Sequence, residues 1–418
     1  MRMPSNSQYT SLELFSGAGG LALGLETAGF VHKALVEWDE DCCITMKDNK
    51  SADGWQVYHM DVSKFNYLPY ADKIDLIAGG PPCQPFSLGG KGRAYLDDRD
   101  MFPQAVRSIR EVRPKAFIFE NVKGLTRPSF SKYFEYIRLC LSYPEIVRRG
   151  SEDWLEHLAR LENYHTKGKI SGLSYKVVAR VLNAADYGIP QRRERVFIVG
   201  FRNDVDVEWH YPNPTHSYES LLASHRNGEY WEKHHISKND RKSPLLKDDS
   251  DSYSYATLFK LEELLPWKTV RDAIGDLPDP AKKNNFPNHI FMSGARVYPG
   301  HTGSHIDLPS KTIKAGGHGV PGGENMLLYT DGKVRYFTVR EAARLQTFPD
   351  TYVVKGSWGE SMRQLGNAVP VDLANVIGES VKVQLHKYAA AKVKKTVRSP
   401  QSSRQGKIRT SHSGGAFS

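Results

Sequence analysis

Short apolar runs alternate with amphipathic stretches through the first 125 residues. The patterns typical of strands are TSLELF (10–15), VHKALVEW (31–38), WQVYHMDV (55–62), DKIDLIAGG (72–80) and KAFIFENV (115–122). The patterns typical of helices are LALGLETAGF (21–30) and RDMFPQAVRSIREVRP (99–114). Because strands that alternate with helices form parallel sheets covered on both faces, the sequence predicts an α/β fold with a doubly wound, mostly parallel sheet.

The alternation is interrupted twice farther along the chain. Residues 144–172 are charged and helix-like, and we interpret them as a surface insertion. Strand character returns at 174–201, but from about 201 to 337 periodicity disappears and Pro, Gly, His, Asp and Ser dominate. Helical patterns resume at 338–350 and at 364–390.

These changes predict two domains and a tail. The first domain covers 1–200 and is completed by the 362–390 helix, and a second, smaller and irregular domain covers 201–361. Residues 391–418 are basic and contain few apolar residues, which predicts disorder. A chain of 418 residues is long enough for two cores.

Composition and charge narrow the class of protein. Hydrophobic residues make up 39% and charged residues 25%, as in a globular protein, and no apolar run is long enough to cross a membrane. The net charge is +10, but the Lys and Arg residues from Lys387 to the C-terminus contribute eight of those charges and no acid, so the rest of the chain carries only +2. Two explanations of the basic tail stay open, polyanion binding and simple solvation.

The four cysteines are Cys42, Cys43, Cys83 and Cys140, and none forms a CxxC pair. This predicts a reduced, cytoplasmic protein in which Cys83 is available as a thiol. Cys83 lies in GGPPCQPFS, where the prolines fix φ and produce a stiffened loop after a predicted strand. A thiolate there is a strong carbon nucleophile. The alternative is an inert buried cysteine.

A glycine-rich turn follows the first predicted strand, with glycines at 17, 19 and 20. Strand, glycine turn and helix in this order are typical of nucleotide binding. Glu37 is the candidate for the ribose hydroxyls, Trp38 for base stacking and Asp61 for an exocyclic amine. No GK[ST] follows the glycines, which argues against an ATPase, while NAD and S-adenosylmethionine stay open.

Other polar residues are predicted to lie at the same edge of the sheet. Glu120 closes the strand KAFIFENV, and burial there would raise its pKa enough for it to protonate a ring nitrogen. Gln191, Arg193 and Arg195 alternate in IPQRRERVF and therefore share one face of an extended segment. Three long donors on one face suit a phosphate or a polarised carbonyl, the alternative being a solvated charged edge.

Taken in order, these segments resemble the DNA (cytosine-5)-methyltransferase family. The resemblance covers most of 10–200 and 338–380, whereas 201–337 resemble the family only loosely, in PWKTVRDAIGDLP and at Thr312. The segments that carry it are ELFSGAGGLALG, Glu37-Trp38, Asp61, GGPPCQPFS, ENVKG, QRRERVFIVG, REAARLQTFPD and QLGNAVP.

The resemblance implies an S-adenosylmethionine-dependent, Rossmann-like methyltransferase, with 201–361 as its target-recognition domain. It implies that Cys83 adds to carbon 6 of a cytosine, that Glu120 protonates ring N3, and that Arg195, supported by Arg193, holds the base carbonyl. Gln191 belongs to the same catalytic set. The cofactor would be bound by the nucleotide turn and its neighbours, without a metal: Phe15, Gly17, Gly19, Gly20, Glu37, Trp38, Asp61, Pro81, Met101 and Asn367.

The resemblance also implies partners. The substrate would be double-stranded DNA with its target base flipped out of the helix, at a cost of a few kcal/mol. The enzyme would be a bacterial, cytoplasmic monomer and the modification arm of a restriction-modification system with a cognate endonuclease. The glycine-rich stretch 314–325 would approach phosphates or base edges, or be a surface loop.

Three rival functions are weighed. A tRNA cytosine-5 methyltransferase shares the chemistry, but its Cys-Phe-Thr element is absent, since the only later cysteine, Cys140, is followed by Leu141 and Ser142. An NAD-dependent oxidoreductase would explain Glu37 but not GGPPCQPFS. A catalytically silent DNA-binding scaffold would not need both Cys83 and Glu120.

Overall fold

The structure is a computed structural model that describes residues 8–82, 100–168, 171–245, 264–299, 301–315 and 325–398. Cys83, most of the glycine-rich stretch 314–325 and the end of the basic tail lie outside the described residues. Within the described part of the chain, no helix is long and apolar enough to cross a membrane.

The first domain contains seven strands and five helices among the described residues. They are β1 (Tyr9–Leu14), α1 (Gly20–Thr27), β2 (Phe30–Glu37), α2 (Glu40–Lys50), β3 (Val57–His59), β4 (Leu76–Gly79), α3 (Phe102–Val112), β5 (Ala116–Val122), α4 (Ser131–Ser142), α5 (Trp154–Thr166), β6 (Tyr175–Asn183) and β7 (Glu194–Arg202). Each strand predicted before residue 125 is present, with ends within a few residues of the predicted ones.

These strands form one sheet in the order β3-β2-β1-β4-β5-β7-β6. The pairings among β1 to β5 are parallel, and β7 runs antiparallel to both β5 and β6. The prediction of a doubly wound, mostly parallel sheet is therefore confirmed. The carboxyl ends of β1, β2, β4 and β5 meet at one edge, and β7 begins at that edge because its direction is reversed.

Alternate residues of the central strands face two different helix layers. Phe117 and Phe119 of β5 pack in the cluster that contains α3 and α4. Ala116 and Ile118 pack on the opposite face, in the cluster that contains α1 and the long C-terminal helix. This two-sided burial explains why the first four residues of β5, 116–119, are all apolar and do not alternate with polar ones.

The remaining elements are shorter until the C-terminus. They are β8 (His216–Ser217), α6 (Tyr218–Asn227), α7 (Glu229–Lys233), β9 (Leu265–Pro266), α8 (Val270–Ile274), β10 (Ser304–His305), β11 (Met326–Leu328), β12 (Val334–Tyr336), α9 (Val339–Leu345), α10 (Trp358–Asn367) and α11 (Val371–Arg398). Strands β10, β11 and β12 form a small second sheet, and β8 pairs with β9. The irregular texture of 201–337 is thus matched by short strands and long connections.

The core of the second domain continues into the first. A third cluster joins Leu23 of α1 and Met46 of α2 to Ile313, Phe337 and Leu345. Strand β7 also runs on to Arg202, past the predicted boundary at 200. The two domains are therefore packed on a shared apolar core.

The last helix extends into a stretch for which the sequence predicts disorder. Helix α11 continues to Arg398, through the start of the stretch 391–418 that the sequence analysis assigned to disorder. Its last turns are rich in Ala, Lys and Arg, which have high helix propensity although they bury little apolar surface. Low hydrophobicity alone therefore does not exclude a helix over 391–398.

The insertion 144–172 forms α5, which packs on α4. Leu158 and Leu161 of α5 contact the cluster of Leu139, Cys140 and Tyr143. The helix begins at a capping box between Asp153 and Glu156. The insertion is thus a helical layer on the outer side of the first domain.

Helix α1 approaches α11 so closely that a glycine is needed at the crossing. A Cβ added to Gly24 would lie 2.4 Å from the carbonyl oxygen of Val371 and 2.4 Å from Ala374 Cβ. We expect Gly24→Ala to lower the free energy of unfolding by about 1–3 kcal/mol, because the backbone of α11 must move away. Urea unfolding followed by circular dichroism measures the change.

Gly359, the second residue of α10, is the matched control. Nothing lies within 4 Å of a Cβ added there. Gly359→Ala should leave the stability unchanged or raise it by up to about 1 kcal/mol, since alanine restricts the unfolded chain. Equal destabilisation by both substitutions would contradict the close crossing of α1 and α11.

Candidate active site

The glycine turn after β1 is built from residues in left-handed backbone conformations. Phe15, Gly17 and Gly19 have φ of 55°, 53° and 80°. A Cβ on Gly20 would lie 2.3 Å from the carbonyl oxygen of Val369, so only glycine fits under the loop between α10 and α11. Nothing lies within 4 Å of the Cβ position of Gly17, so the turn is open on that side.

Glu37, at the end of β2, closes this turn. Its carboxylate accepts hydrogen bonds from the backbone N–H groups of Gly17 (2.7 Å), Trp38 (2.8 Å) and Asp39 (2.8 Å). A carboxylate has about four acceptor positions, so about one remains for a ligand hydroxyl. The residue predicted to contact a ribose thus also holds the turn in shape.

The neighbouring residues present an aromatic ring and a second carboxylate. The side chain of Trp38 is 72% exposed. Asp61 accepts a hydrogen bond from the backbone N–H of Ser63 at 2.8 Å, and this bond lowers its pKa, so the group is an ionised acceptor. The edge therefore combines an exposed aromatic ring, carboxylate acceptors and a glycine turn that is open beside Gly17, and these residues fit an adenosine-containing cofactor.

The second group of residues lies at the ends of β5 and β7. Glu120 and Arg195 form an ion pair with 2.9 Å between Oε1 and Nε. Burial raises the pKa of Glu120 above its ordinary value, against the opposing charges of Arg195 and Arg193. The raised pKa favours the protonated form of this carboxyl group, which is the direction that a general acid requires.

The loop that leads to Cys83 starts beside this pair. A Cβ on Gly80 would lie 3.5 Å from Oε2 of Glu120. The side-chain amide of Asn121 donates to the carbonyl oxygen of Pro81 at 2.8 Å, and the N–H of Met101 donates to that of Pro82 at 3.4 Å. The chain therefore leaves the described part at 82 and re-enters it at 100 close to Glu120.

Asn121 was not singled out from the sequence. Its side chain is buried, and it is the direct link between β5 and the first residues of this loop. Its position in the sequence could have indicated this role. It comes immediately after Glu120, near a strand end, where a polar side chain has little to contact except a neighbouring loop.

Gln191 and Arg193 are buried on the face that they share with Arg195, but their donors reach backbone carbonyls. Arg193 donates to the carbonyl oxygens of Ile313, Gly366 and Ala368, at 3.3, 2.8 and 2.9 Å. Gln191 donates to Leu345 at 3.3 Å and accepts from the N–H of Ile313 at 3.2 Å.

Gln191, Arg193 and Arg195 were predicted to face one ligand, but their side chains make two different kinds of contact. Arg195 contacts Glu120, whereas Gln191 and Arg193 join the start of β7 to the second domain and to the loop before α11.

The remaining predicted cofactor residues lie in different environments. Phe15 and Met101 are half-buried against the cluster on the α3 side of the sheet, so the alternative of a core role holds for part of each side chain. Pro81 is buried, and Asn367 is exposed at the end of α10.

Comparisons with known proteins identify the family. The family model for C-5 cytosine-specific DNA methylase matches residues 9–142 and 157–383. The stretch between the two matched ranges, 143–156, overlaps the predicted insertion 144–172. The chain is 32% identical over 383 residues to Type II methyltransferase M.Eco47II of Escherichia coli, covering 90% of this chain and 79% of that protein.

A second relative is covered almost completely. Type II methyltransferase M.NgoMIV of Neisseria gonorrhoeae is 32% identical over 379 residues, which is 90% of this chain and 97% of that protein. Among solved structures, Dnmt2 methyltransferase of S. pombe is similar in fold, with a TM-score of 0.52 and 17% identity over 91% of this chain and 99% of that one. The Entamoeba histolytica methyltransferase EhMeth gives a TM-score of 0.54 at 14% identity, with 91% of this chain and 99% of that one covered. Because the family model matches most of this chain, the chain belongs to the C-5 cytosine-specific DNA methylases.

Proposed function

We propose that this enzyme transfers a methyl group from S-adenosylmethionine to carbon 5 of a cytosine within a specific double-stranded DNA sequence. We also propose that the target base is flipped out of the duplex and attacked by Cys83. The single observation that carries the proposal is the buried Glu120–Arg195 pair beside the loop that leads to Cys83. Two Type II methyltransferases at 32% identity support a role in restriction-modification.

The buried pair supplies the acid and the charge that this chemistry needs. Carbon 5 of cytosine is a poor nucleophile, and addition of the Cys83 thiolate to carbon 6 makes it electron-rich. Protonation of N3 by Glu120 keeps negative charge off the ring, and burial raises the pKa of Glu120 in the required direction. Arg195 would hold the base carbonyl, an electrostatic role that is strong in a site shielded from water.

The product forms when the added groups leave again. Once carbon 5 carries the methyl group, it loses its proton to a base and the electrons of that bond expel the Cys83 thiolate from carbon 6. The ring recovers its double bond, and the enzyme recovers its nucleophile. Stiffening by Pro81 and Pro82 reduces the entropy lost in placing the thiol against the base.

The glycine-turn edge would hold the cofactor. Trp38 offers a stacking face, Asp61 an acceptor for an exocyclic amine, and Glu37 its remaining acceptor position for a ribose hydroxyl. S-adenosylmethionine, when bound, supplies an electrophilic methyl group. Gln191 and Arg193 would act as positioning residues, because they hold the start of β7, and with it Arg195, against the second domain.

The proposal is tested by methylating DNA of known sequence with the purified protein and mapping 5-methylcytosine by bisulfite sequencing. We expect methylation at one short sequence in duplex DNA and none in a tRNA pool. Methylation of tRNA alone would favour the rival assignment, and methylation of neither would overturn the proposal. Gel filtration tests whether the protein is a monomer. A search for a neighbouring endonuclease gene tests for the proposed partner.

Glu120→Gln separates proton donation from packing. The amide keeps the shape and hydrogen-bonding capacity but cannot donate a carboxylic proton, so we expect the methylation rate to fall by about 10²–10⁴-fold. Wild-type activity should also decline as the pH rises through the raised pKa of Glu120, because only the protonated form acts as the acid. The amide variant should lack that decline. Tritium transfer from labelled S-adenosylmethionine measures both effects.

Glu194→Gln is the matched control for this variant. Glu194 forms an ion pair with Lys123 at 2.7 Å, but both side chains are about half exposed. The same chemical change there should alter the rate by less than about two-fold, since exposed pairs contribute little. An equal loss of methylation rate in both variants would indicate a general effect of charge. It would contradict the role of Glu120 as the acid.

Cys83→Ala tests covalent catalysis. The variant should lose methyl transfer and largely keep its binding of S-adenosylmethionine, measured by calorimetry, since Cys83 is not among the residues predicted to bind the cofactor. A duplex with 5-fluorocytosine at the mapped position should remain attached to the wild-type protein in denaturant, because fluorine cannot leave as a proton does. Release of that duplex by denaturant, or equal loss of cofactor binding, would contradict the role of Cys83.

A further inference from the structure

Side chains of both domains hold the backbone of residues 352–355, a segment between α9 and α10. The side chain of Asn49, on α2, contacts both the N–H of Val353 at 2.7 Å and its carbonyl oxygen at 2.8 Å. The side chain of Asn288, in the second domain, contacts the N–H of Val354 at 2.9 Å and its carbonyl oxygen at 3.0 Å. A segment without regular secondary structure is therefore fixed in position relative to α2.

This segment places the side chain of Tyr352 beneath the glycine turn that follows β1. Tyr352 is 2% exposed, and its hydroxyl donates to the carbonyl oxygen of Ala18 at 2.8 Å. A Cβ on Gly19 would lie 3.1 Å from that hydroxyl oxygen, and a Cβ on Gly20 would lie 3.1 Å from the ring of Phe348. Two aromatic residues of the second domain therefore pack directly under the turn.

The peptide group between Ala18 and Gly19 is held on both sides. Its carbonyl oxygen accepts from Tyr352, and its N–H donates to the carbonyl oxygen of Ser16 at 2.9 Å. Ala18 is fully buried, so loss of the tyrosine hydroxyl would leave a buried carbonyl without this donor, which is unfavourable. Rotation of the peptide group would relieve that cost, and a glycine at position 19 permits the rotation. The hydroxyl therefore favours one conformation of the turn.

We propose that Tyr352 is a positioning residue for the cofactor, because its hydroxyl keeps the glycine turn in the conformation that receives S-adenosylmethionine. The inference rests on the proposed function, in which the cofactor binds at this turn. The effect passes through the backbone of the turn, since the hydroxyl contacts the buried carbonyl of Ala18. A turn that already has its binding conformation loses less entropy when the ligand binds.

The turn is held at two points, and its ligand side lies between them. Glu37 accepts from the N–H of Gly17 at 2.7 Å and so holds the beginning of the turn from β2. Tyr352 holds the end of the turn from the second domain, through Ala18. The Cβ position of Gly17 has nothing within 4 Å, so this part of the turn is open to a ligand. The second domain thus contributes to the cofactor site although the turn belongs to the first domain.

Tyr352→Phe tests this role, because it removes the hydroxyl and keeps the ring. We expect the affinity for S-adenosylmethionine, measured by calorimetry, to fall about ten-fold, as for a buried carbonyl that loses its donor. The KM for the cofactor should rise with it, while kcat at saturating cofactor should stay within about two-fold of the wild type, since the groups that act on the base are unchanged. A merely structural role would instead reduce the amount of active enzyme, which lowers kcat and leaves KM unchanged.

Tyr175→Phe is the matched control. Tyr175 is also buried, and its hydroxyl donates to the carbonyl oxygen of Pro114 at 2.7 Å, just before β5 begins and therefore at the opposite edge of the sheet. This variant should lose a similar hydrogen bond and keep the KM of the wild type. Asn288→Asp tests the hold on the segment from the second domain, because a carboxylate cannot donate to the carbonyl oxygen of Val354. It should raise the KM for the cofactor about two- to three-fold, less than Tyr352→Phe.

The outcomes separate this inference from the proposed function. If the wild-type protein binds S-adenosylmethionine and Tyr352→Phe binds it equally well, the inference fails and the proposed function stands. If the wild-type protein binds no S-adenosylmethionine, the proposed function fails, and the inference fails with it. A lower kcat with unchanged KM, or an equal rise in KM for Tyr352→Phe and Tyr175→Phe, would indicate a structural role and overturn the inference.

Discussion

The ion pair between Glu120 and Arg195 is the interaction on which the arrangement of the site depends. The two residues are far apart in sequence and come together because β7 runs antiparallel to β5. If β7 were parallel, its first residues would lie at the opposite edge of the sheet. The reversed strand instead pairs Arg195 with Val122, at the end of β5 that also carries Glu120. Burial of two charges is costly, and here the opposite charges offset each other at a separation of 2.9 Å.

This geometry explains which parts of the site could be predicted from sequence. Strand ends follow from local apolar patterns, and polar residues that follow a buried strand must lie at the sheet edge, as Glu37 and Glu120 do. The alternation of Gln191, Arg193 and Arg195 correctly predicted one shared face. Local pattern contains no information on what that face meets, so the distant carbonyls that Gln191 and Arg193 bind could not be predicted.

The loop between α10 and α11 connects the two halves of the site. The carbonyl oxygens of Gly366, at the end of α10, and of Ala368, in the loop, accept from Arg193 beside the Glu120–Arg195 pair. One residue later, Val369 packs against the backbone of Gly20 in the nucleotide turn. A single short loop therefore sets the spacing between the cofactor edge and the start of β7. Its sequence, QLGNAVP, carries part of the family resemblance, but the local pattern contains no information on these two backbone contacts.

The irregular second domain is stable because it does not rely on its own secondary structure. Its strands are two or three residues long, but its apolar residues share a core with α1 and α2, and backbone contacts at Ser310 and Ile313 join it to the start of β7. A segment supported in this way can leave long stretches without regular structure. Those stretches can then place exposed side chains, such as Ile290 and Phe291, where a regular helix or sheet would not. The second domain can be irregular because it is anchored at a few points. The same contacts hold it against the start of β7, and therefore beside the Glu120–Arg195 pair.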